Sequence, residues 1–274
     1  MLAGKKIVNQ KLTIAISLTL AIGSSTVTAS THTEKQIHHA AEDAIEEVLV
    51  WGRASKQIGE AQTASAGFVG FGDFKTRPLQ RIGEFTEVAP GMVATQHSGE
   101  GKANQYYLRG MNLDHGTDFS AYLAGMPINL RGHAHGQGYL DLNFLIPEII
   151  NSVAFRKGPY YADRGDFSTV GTTTFNLYER IEEPFIKADL GAQNYRRLVT
   201  AGSVDVGRGH LLSALEIATN DGPWKLPAGV QKHNALFRFS RDFTNFNADL
   251  LLSYYGNSWR ATDQIPRRSV ASKT

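Results

Sequence analysis

The first concentration of apolar residues lies near the N-terminus. Residues 12–22 are apolar apart from three hydroxyl side chains, follow Lys5, Lys6 and Lys11, and lead to small residues that end at Ala29. This order is typical of a secretory signal peptide, so we predict that residues 1–29 are removed during export. A membrane anchor is the alternative, but a spanning helix needs about 20 apolar residues.

The next stretch, residues 30–72, carries little regular apolar pattern. Residues 30–47 are polar and predict a flexible segment. Residues 48–51 are strand-forming side chains that stand alone between polar flanks, which suits a segment that adds to the sheet edge of another protein. They suit equally well the first strand of the following domain. Residues 55–72 are rich in Gly, Ala and Ser, which predicts a linker.

The pattern between residues 73 and 180 predicts a compact α+β domain. Apolar residues three apart at 79, 82, 85 and 88 predict a short amphipathic helix that ends at Pro90-Gly91. Residues 142–150 are a second helix candidate, interrupted by Pro147. Segments 92–96, 105–109, 120–123 and 151–157 resemble short strands between Gly and Asn turns. We therefore predict a small mixed sheet with short helices.

After residue 180 the apolar and polar residues tend to alternate. Residues 236, 238 and 240 (Leu, Arg, Ser) alternate with 237, 239 and 241 (Phe, Phe, Arg). Similar segments cover residues 185–191, 198–206, 211–218, 235–243 and 246–255. Segments of about 10 residues, joined alternately by short and by longer turns, are typical of transmembrane β-strands. A soluble β-sandwich has the same period, so both remain open.

Composition removes several classes of function. The net charge is only +2 and the leader alone carries three lysines, so no basic surface for nucleic acid is expected. There is no cysteine, and the chain contains neither a Gly-x-Ser-x-Gly motif nor a complete phosphate or dinucleotide loop. No enzyme activity and no cofactor are therefore predicted.

The candidate chemistry lies in a group of polar residues between positions 97 and 135. If the segment is a strand, His133 and His135 share one face, and this is a common metal-ligand spacing. A third ligand would have to come from Asp114, His115 or His97. The alternative is two exposed histidines in a glycine-rich loop, and the nearby Arg131 disfavours a cation. The candidate residues are His97, Asp114, His115, Asp118, Arg131, His133 and His135.

Six sequence segments in order resemble the TonB-dependent outer-membrane receptors of Gram-negative bacteria. The first resembles the energy-coupling TonB box. Residues 79–91 resemble the opening helix of the plug domain, 107–111 its "IRG" strand, and 153–165 its "VEVxRGPxSxxYG" segment. Residues 122–127 match its "DGxP" hairpin with Ala124 in place of Asp, and 171–176 match "GGVINI" with Thr172 in place of Gly. The box residues are Glu46, Glu47, Val48, Leu49 and Val50.

The resemblance implies a plug domain (residues 73–180) followed by the first strands of a transmembrane β-barrel (residues 181–274). It implies an outer-membrane location, contact with outer-membrane lipid, a TonB-type energy-transducing partner in the inner membrane, and a small extracellular ligand. Such barrels close with about 22 strands and this chain provides about five, so we expect it to be truncated. The apical loops near residues 96–104, 112–119 and 130–138 would contact the ligand or, alternatively, the inner barrel wall. The rival hypothesis is a periplasmic metal- or ligand-binding protein without a barrel.

Overall fold

The computed structural model describes residues 65–74, 81–96, 101–261 and 266–272. The predicted signal peptide, residues 1–29, and the predicted TonB box, residues 46–50, lie outside the described residues and stay predictions. His97 also lies outside them.

Eight short strands form the first part of the described chain. β1, β7, β8, β5 and β6 make one sheet in that order, while β2, β3 and β4 make a second. The β5–β8 pair is parallel and the other pairs are antiparallel. The strands are β1 (Ala66–Gly70), β2 (Met92–Thr95), β3 (Gln105–Leu108), β4 (Met111–Asn112), β5 (Phe119–Leu123), β6 (Met126–Pro127), β7 (Ile150–Lys157) and β8 (Gly171–Leu177).

The helices of the described chain are short. Two are α-helical, α1 (Phe71–Phe74) and α2 (Arg267–Ser272). Three are 3₁₀ helices, at Ile82–Val88, Pro147–Ile149 and Ala162–Arg164. Among the residues that the structure describes, no helix is long and apolar enough to cross a membrane. The predicted mixed sheet with short helices is therefore confirmed.

A buried apolar core holds these two small sheets together. Phe74, Tyr106, Phe119 and Phe175 are at most 2% exposed, and Phe74 packs edge-on against Phe85 with ring centroids 5.0 Å apart. β5 contributes five buried residues in succession, because it lies between β8 and β6 with both faces covered. Burial of aromatic and aliphatic side chains is the main stabilising contribution to such a domain.

The β5–β6 hairpin explains one departure from the family pattern. Ala124 and Gly125 both have positive φ, 47° and 83°, as a two-residue type I′ turn requires. Asp and Asn tolerate this conformation better than Ala, so the Asp usual at this position in the family would fit the turn with less strain.

Three expectations about local structure are corrected. Residues 66–70, predicted as linker, form β1, because β7 supplies hydrogen-bond partners for their backbone along the whole strand. The helix predicted at 78–88 is a 3₁₀ helix over Ile82–Val88. A 3₁₀ helix has three residues per turn, which agrees with the spacing of three between the apolar residues. The second helix candidate shrinks to Pro147–Ile149, since Ile150 already pairs with Leu177 as the start of β7.

The second part of the chain is a five-stranded antiparallel sheet in which each strand pairs with its neighbours in sequence. Short turns, Gly207–Arg208 and residues 243–246, lie at one end of it. Longer connections, residues 191–195 and 221–229, lie at the other. The predicted run of alternating segments is confirmed as strands, and these are β9 (Phe185–Leu190), β10 (Arg196–Val206), β11 (Gly209–Asn220), β12 (Val230–Asp242) and β13 (Asn247–Ser258).

The two faces of this sheet have an unusual distribution of polarity. The register places Leu198 opposite Ile217 and Phe237 opposite Leu252, so these side chains share a face. That face is exposed and apolar. The other face packs against the first part of the chain and buries charged side chains such as Arg197 and Glu216. The exposed apolar residues include Ile186, Leu190, Leu198, Val204, Leu215, Ile217, Phe237, Leu250, Leu252 and Tyr254.

Candidate functional site

Asp114, His115 and His135 come together although they belong to two different loops. Each offers one ligand atom, and these atoms lie within 4.8 Å of one another. The imidazole rings of His115 and His135 are 4.5 Å apart between centroids, and His115 Nε2 lies 3.8 Å from Asp114 Oδ1. His115 is buried, while Asp114 and His135 are exposed. We call these three residues the Asp–His–His cluster.

The loop after β4 fixes the first two members of the cluster. Asn112 Oδ1 accepts a hydrogen bond from the Asp114 amide at 2.9 Å, and Asp114 itself has a left-handed φ of 49°. Asp is one of the few residues that adopt this conformation readily. The Tyr106 amide donates to the Asp114 carbonyl, so this turn is anchored on β3.

The backbone of Asn104 orients the His115 ring. Its Nδ1 lies 2.9 Å from the carbonyl oxygen of Asn104. Because a carbonyl oxygen can only accept, Nδ1 carries the proton, and in the neutral ring Nε2 keeps its lone pair. This second nitrogen is the one that faces Asp114.

The other loop is closed at its base by a paired Leu130 and Tyr139. The Leu140 amide donates to the His115 carbonyl at 2.7 Å, which joins the two loops. Within the loop, the Gly136 amide donates to the His133 carbonyl and forms a turn. The expectation that His133 and His135 share one face of a strand is therefore wrong, because the backbone between them turns.

The two histidines of this loop consequently have different surroundings. His133 stacks on the Tyr139 ring, with centroids 3.9 Å apart and planes 17° apart, while His135 meets His115 edge-on. The His135 amide donates to His133 Nδ1 at 3.2 Å. Tyr139 thus supports both histidines and accepts a hydrogen bond from the Ala103 amide. Burial raises the pKa of the Tyr139 phenol, which keeps its hydroxyl neutral.

Asn129 is the residue that sequence reasoning missed. Its Oδ1 accepts from the Ala121 amide at 2.7 Å, and its Nδ2 lies within hydrogen-bond distance of the carbonyls of Gly116, Phe119 and Gly138. One side chain therefore ties both loops of the cluster to β5. In the sequence, Asn129 stands two residues after β6. This position does not distinguish it from an ordinary turn residue.

The remaining predicted residues do not join the cluster. Arg131 lies 3.6 Å from Asp166 Oδ2 in an exposed ion pair, so its charge is balanced outside the cluster. Asp118 is half-buried, and its carbonyl accepts a hydrogen bond from the Val170 amide. The structure thus brings three of the six described candidates together and places Asp118, Arg131 and His133 elsewhere.

A charged network joins the first part of the chain to the second sheet. Arg197 donates two hydrogen bonds to Glu148, of 2.6 and 2.8 Å, and a third of 2.5 Å to Glu216. Glu216 also lies 3.1 Å from Lys232 Nζ and accepts from Asn234. Burial alone would raise the pKa of Glu148, but the hydrogen bonds and charge of Arg197 outweigh it and lower that pKa.

The Asp–His–His cluster is close to the sheet end that carries the long connections. Asp141, two residues after Tyr139, accepts a hydrogen bond from the Tyr255 hydroxyl at 3.4 Å, and Asn143 accepts one from Asn234. Both partners lie at the ends of β12 and β13 that face residues 221–229. Burial raises the pKa of Asp141, against the opposing effect of its hydrogen bonds from Asn143.

A separate cavity of about 510 Å³ lies away from the cluster. Asn151, Asn176, Glu179, Arg180 and Arg238 are among its lining residues. It is open and polar and holds no group of metal ligands, so the cluster remains the candidate site.

The comparison with protein families decides the identity of the first part of the chain. The family model of the TonB-dependent receptor plug domain matches residues 60–172. Residues 60–172 therefore match the plug domain of TonB-dependent receptors. The resemblance drawn from the motifs is thereby confirmed, and the plug belongs to a family of transport receptors rather than enzymes.

Solved receptor structures share the fold of the plug and the following sheet. The copper transporter OprC matches with a TM-score of 0.55 and 17% identity, over 73% of this chain and 31% of its own. A variant of the ferric enterobactin receptor PfeA from Pseudomonas aeruginosa matches with 0.53 and 15%, over 72% and 34%. The siderophore receptor PirA from Acinetobacter baumannii matches with 0.53 and 18%, over 76% and 34%.

The chain spans about a third of the length of these structures. At such identities the likeness establishes the fold alone. No curated protein sequence matches the chain.

Proposed function

We propose that this protein is an outer-membrane receptor that binds a scarce small ligand outside the cell and takes it up with energy from a TonB-type protein of the inner membrane. The match of residues 60–172 to the plug domain indicates the family, and three features of the described residues support the function. They are the polarity of the second sheet, the position of the Asp–His–His cluster, and the charged contact between plug and sheet.

The polarity of the sheet β9–β13 is the observation that carries the proposal. Leu250 and Leu252 are 69% and 65% exposed, whereas Arg197 and Glu216 on the opposite face are almost fully buried. A soluble sheet places its apolar face inward, but a transmembrane barrel places that face against lipid and keeps a polar interior. We infer that β9–β13 belong to a barrel wall and that the plug fills its lumen.

The lengths of the connections give the orientation of this wall. Outer-membrane barrels have short turns on the periplasmic side and longer loops outside. Gly207–Arg208 and residues 243–246 would then face the periplasm, and residues 221–229 the medium. The cluster lies toward the long-loop end, as ligand-binding apical loops should, and Asp118, Arg131 and His133 are further candidates for ligand contact.

Coupling to the inner membrane needs a segment that binds the TonB-type protein and leaves the plug free to rearrange. A strand that pairs with the sheet edge of a partner gains affinity from backbone hydrogen bonds, so its side chains need little specificity. Residues 46–50 suit this role. Glu148 of the plug is joined to Arg197 of β10 by charge-assisted hydrogen bonds, which fix the position of the plug against the wall.

The periplasmic binding protein is not favoured. It would leave the apolar residues of β9–β13, such as Leu250 and Leu252, exposed to water on one contiguous face, which soluble monomers rarely show. A lipid environment removes this cost.

The absence of cysteine allows a direct test that needs no knowledge of the ligand. A Val48→Cys variant of the full-length protein is expressed in cells whose TonB-type protein carries single cysteines along its edge strand. We expect a disulfide-linked product of the two proteins in the outer-membrane fraction, because paired strands bring side chains within about 5.5 Å.

The matched control is Ile37→Cys, which lies in the same N-terminal segment but outside the box. It should give little product. Equal cross-linking at both positions would mean that residues 46–50 are not the docking strand, and recovery of the protein in the soluble periplasmic fraction would overturn the receptor itself.

A further inference from the structure

The Asp–His–His cluster combines two imidazoles and one carboxylate around one point. A tetrahedral ion bound about 2.1 Å from each donor would need donor atoms roughly 3.4 Å apart. The donors lie within 4.8 Å of one another, and His115 Nε2 is 3.8 Å from Asp114 Oδ1. Rotation of the Asp114 and His135 side chains, which are both exposed, can shorten these distances.

The ring that is least free to move is already oriented as a metal ligand. His115 is 3% exposed, and its Nδ1–H donates to the Asn104 carbonyl. A metal-ligating imidazole normally donates its other N–H to a carbonyl or carboxylate, which fixes the tautomer and directs the lone pair of the second nitrogen. His115 Nε2 faces Asp114 in this way before any ligand binds.

The supports around the cluster are also built into the fold. Asn129 fastens the two loops through four backbone groups, and the Leu140 amide holds the His115 carbonyl. Such fixed loops reduce the entropy that would otherwise be lost on binding.

We propose that Asp114, His115 and His135 bind a divalent first-row transition-metal ion directly. Two imidazole nitrogens and one carboxylate oxygen suit ions such as Zn²⁺ and disfavour Mg²⁺ and Ca²⁺, which prefer oxygen alone. Three protein ligands leave one coordination position open for water or for a donor from the medium, as in exchangeable zinc sites.

This inference deepens the proposed receptor function, because it makes a metal ion, rather than only an organic chelate, the chemical class that the plug recognises. The exposure of Asp114 and His135 gives the ion a path from the solvent. The neighbouring positive charge does not oppose it, since Arg131 is paired with Asp166.

The test uses the full-length protein purified from outer membranes in detergent and freed of metal by chelation. Zn²⁺ alone is titrated by calorimetry, and Co²⁺ serves as a spectroscopic probe of coordination. We expect one ion per chain and Co²⁺ absorption typical of nitrogen and oxygen ligands. His135→Ala and Asp114→Ala should each weaken Zn²⁺ binding by roughly 100-fold or more, since loss of an outer-shell partner alone costs roughly 10- to 100-fold.

His210→Ala is the control. It removes a partly exposed histidine that pairs with Asp205 next to the short turn Gly207–Arg208 and is not a member of the cluster. We expect it to change the affinity by less than about 10-fold. Because Asp114 and His135 are exposed, their variants should fold, and unchanged thermal unfolding verifies this.

The outcomes separate this inference from the receptor function. The metal site is overturned if the purified protein binds no Zn²⁺ stoichiometrically, or if His210→Ala loses as much affinity as His135→Ala. Recovery of the protein in the soluble periplasmic fraction with intact Zn²⁺ binding would instead overturn the receptor and leave the site in place.

Discussion

The plug buries large apolar side chains, whereas the sheet β9–β13 exposes many of them on one face and buries charged side chains on the other. In the plug, Phe119 and Phe175 are 1% and 0% exposed, and charged side chains such as Arg131 and Asp166 lie at the surface. In the sheet, Leu252 is 65% exposed while Arg197 and Glu216 are buried. The first arrangement is a fold stabilised by removing apolar area from water. The second is stable only where the exposed face has an apolar environment.

The seam between the two regions combines charged contacts with buried apolar side chains such as Val199 and Leu236. Glu148 from the plug meets Arg197 from the sheet, and Arg238 donates to the carbonyls of Leu177 and Tyr178. Charged pairs in a partly buried seam give direction and register but little net stability, because desolvation offsets most of the attraction. The proposed rearrangement of the plug would have to break these charged contacts as well as apolar ones.

Truncating one apolar side chain in each region should have the most unequal effects. Phe175→Ala should destabilise the plug by about 3–5 kcal/mol, because a fully buried ring between β7 and β5 leaves a cavity. Leu250→Ala should cost about 1 kcal/mol or less, since that residue is 69% exposed. Thermal unfolding of the purified full-length protein, followed by limited proteolysis of the plug, measures both.

Equal destabilisation by the two truncations would contradict the comparison. It would mean that the outer face of β9–β13 is covered by protein, as in the soluble β-sandwich that the sequence left open.

A charge introduced into the sheet should distinguish its two faces. Leu252→Arg lies near the middle of β13 on the apolar face, and an arginine near the bilayer centre costs about 2–4 kcal/mol. We expect less protein assembled in the outer membrane and weaker heat-modifiable migration in detergent.

Ser253→Arg is the matched control, because it lies on the next residue and therefore on the face that carries Arg238. Assembly should be nearly unchanged. If Leu252→Arg assembles as well as Ser253→Arg, the outer face of the sheet does not contact lipid.

Much of the fold could be predicted from local pattern, but pairing partners could not. The alternation in residues 235–243 predicted the C-terminal part of β12, because a strand with one polar and one apolar face has a period of two, but it missed residues 230–234. Residues 66–70 looked like linker, since Gly and Ala carry little pattern, and only the distant β7 makes them a strand. Residues 142–150 looked helical, but the Ile150–Leu177 pairing overrides that local preference.

The candidate site was predictable in composition and not in geometry. His135, His115 and Asp114 were all candidates, because histidines and charged residues are concentrated between positions 97 and 135. The pairing of His133 with His135 failed, since it assumed a strand where Gly136 closes a turn. Asn129 was missed because its role depends on four backbone groups that only the folded loops bring together.

The polar seam gives the smallest expected effect, and that effect depends on pH. The pKa of Glu148 is lowered, so its contribution to stability is fully present above the unfolded-state pKa of about 4.3 and is lost as the pH falls through the folded-state pKa. Glu148→Gln keeps a hydrogen-bond acceptor but no charge, and should cost about 1–2 kcal/mol at neutral pH.

The unfolding midpoints of wild type and Glu148→Gln should therefore differ most at neutral pH and converge on acidification below about pH 4.3. Asp141 makes the opposite contribution to the pH dependence of stability. Because its pKa is raised in the folded state, its ionised form destabilises that state, and this destabilisation is lost as the pH falls through the folded-state pKa. Glu179→Gln, an exposed carboxylate 3.8 Å from Arg238, is the control and should track wild type throughout. A constant difference between wild type and Glu148→Gln across the pH range would show that Glu148 acts in the seam by shape rather than by charge.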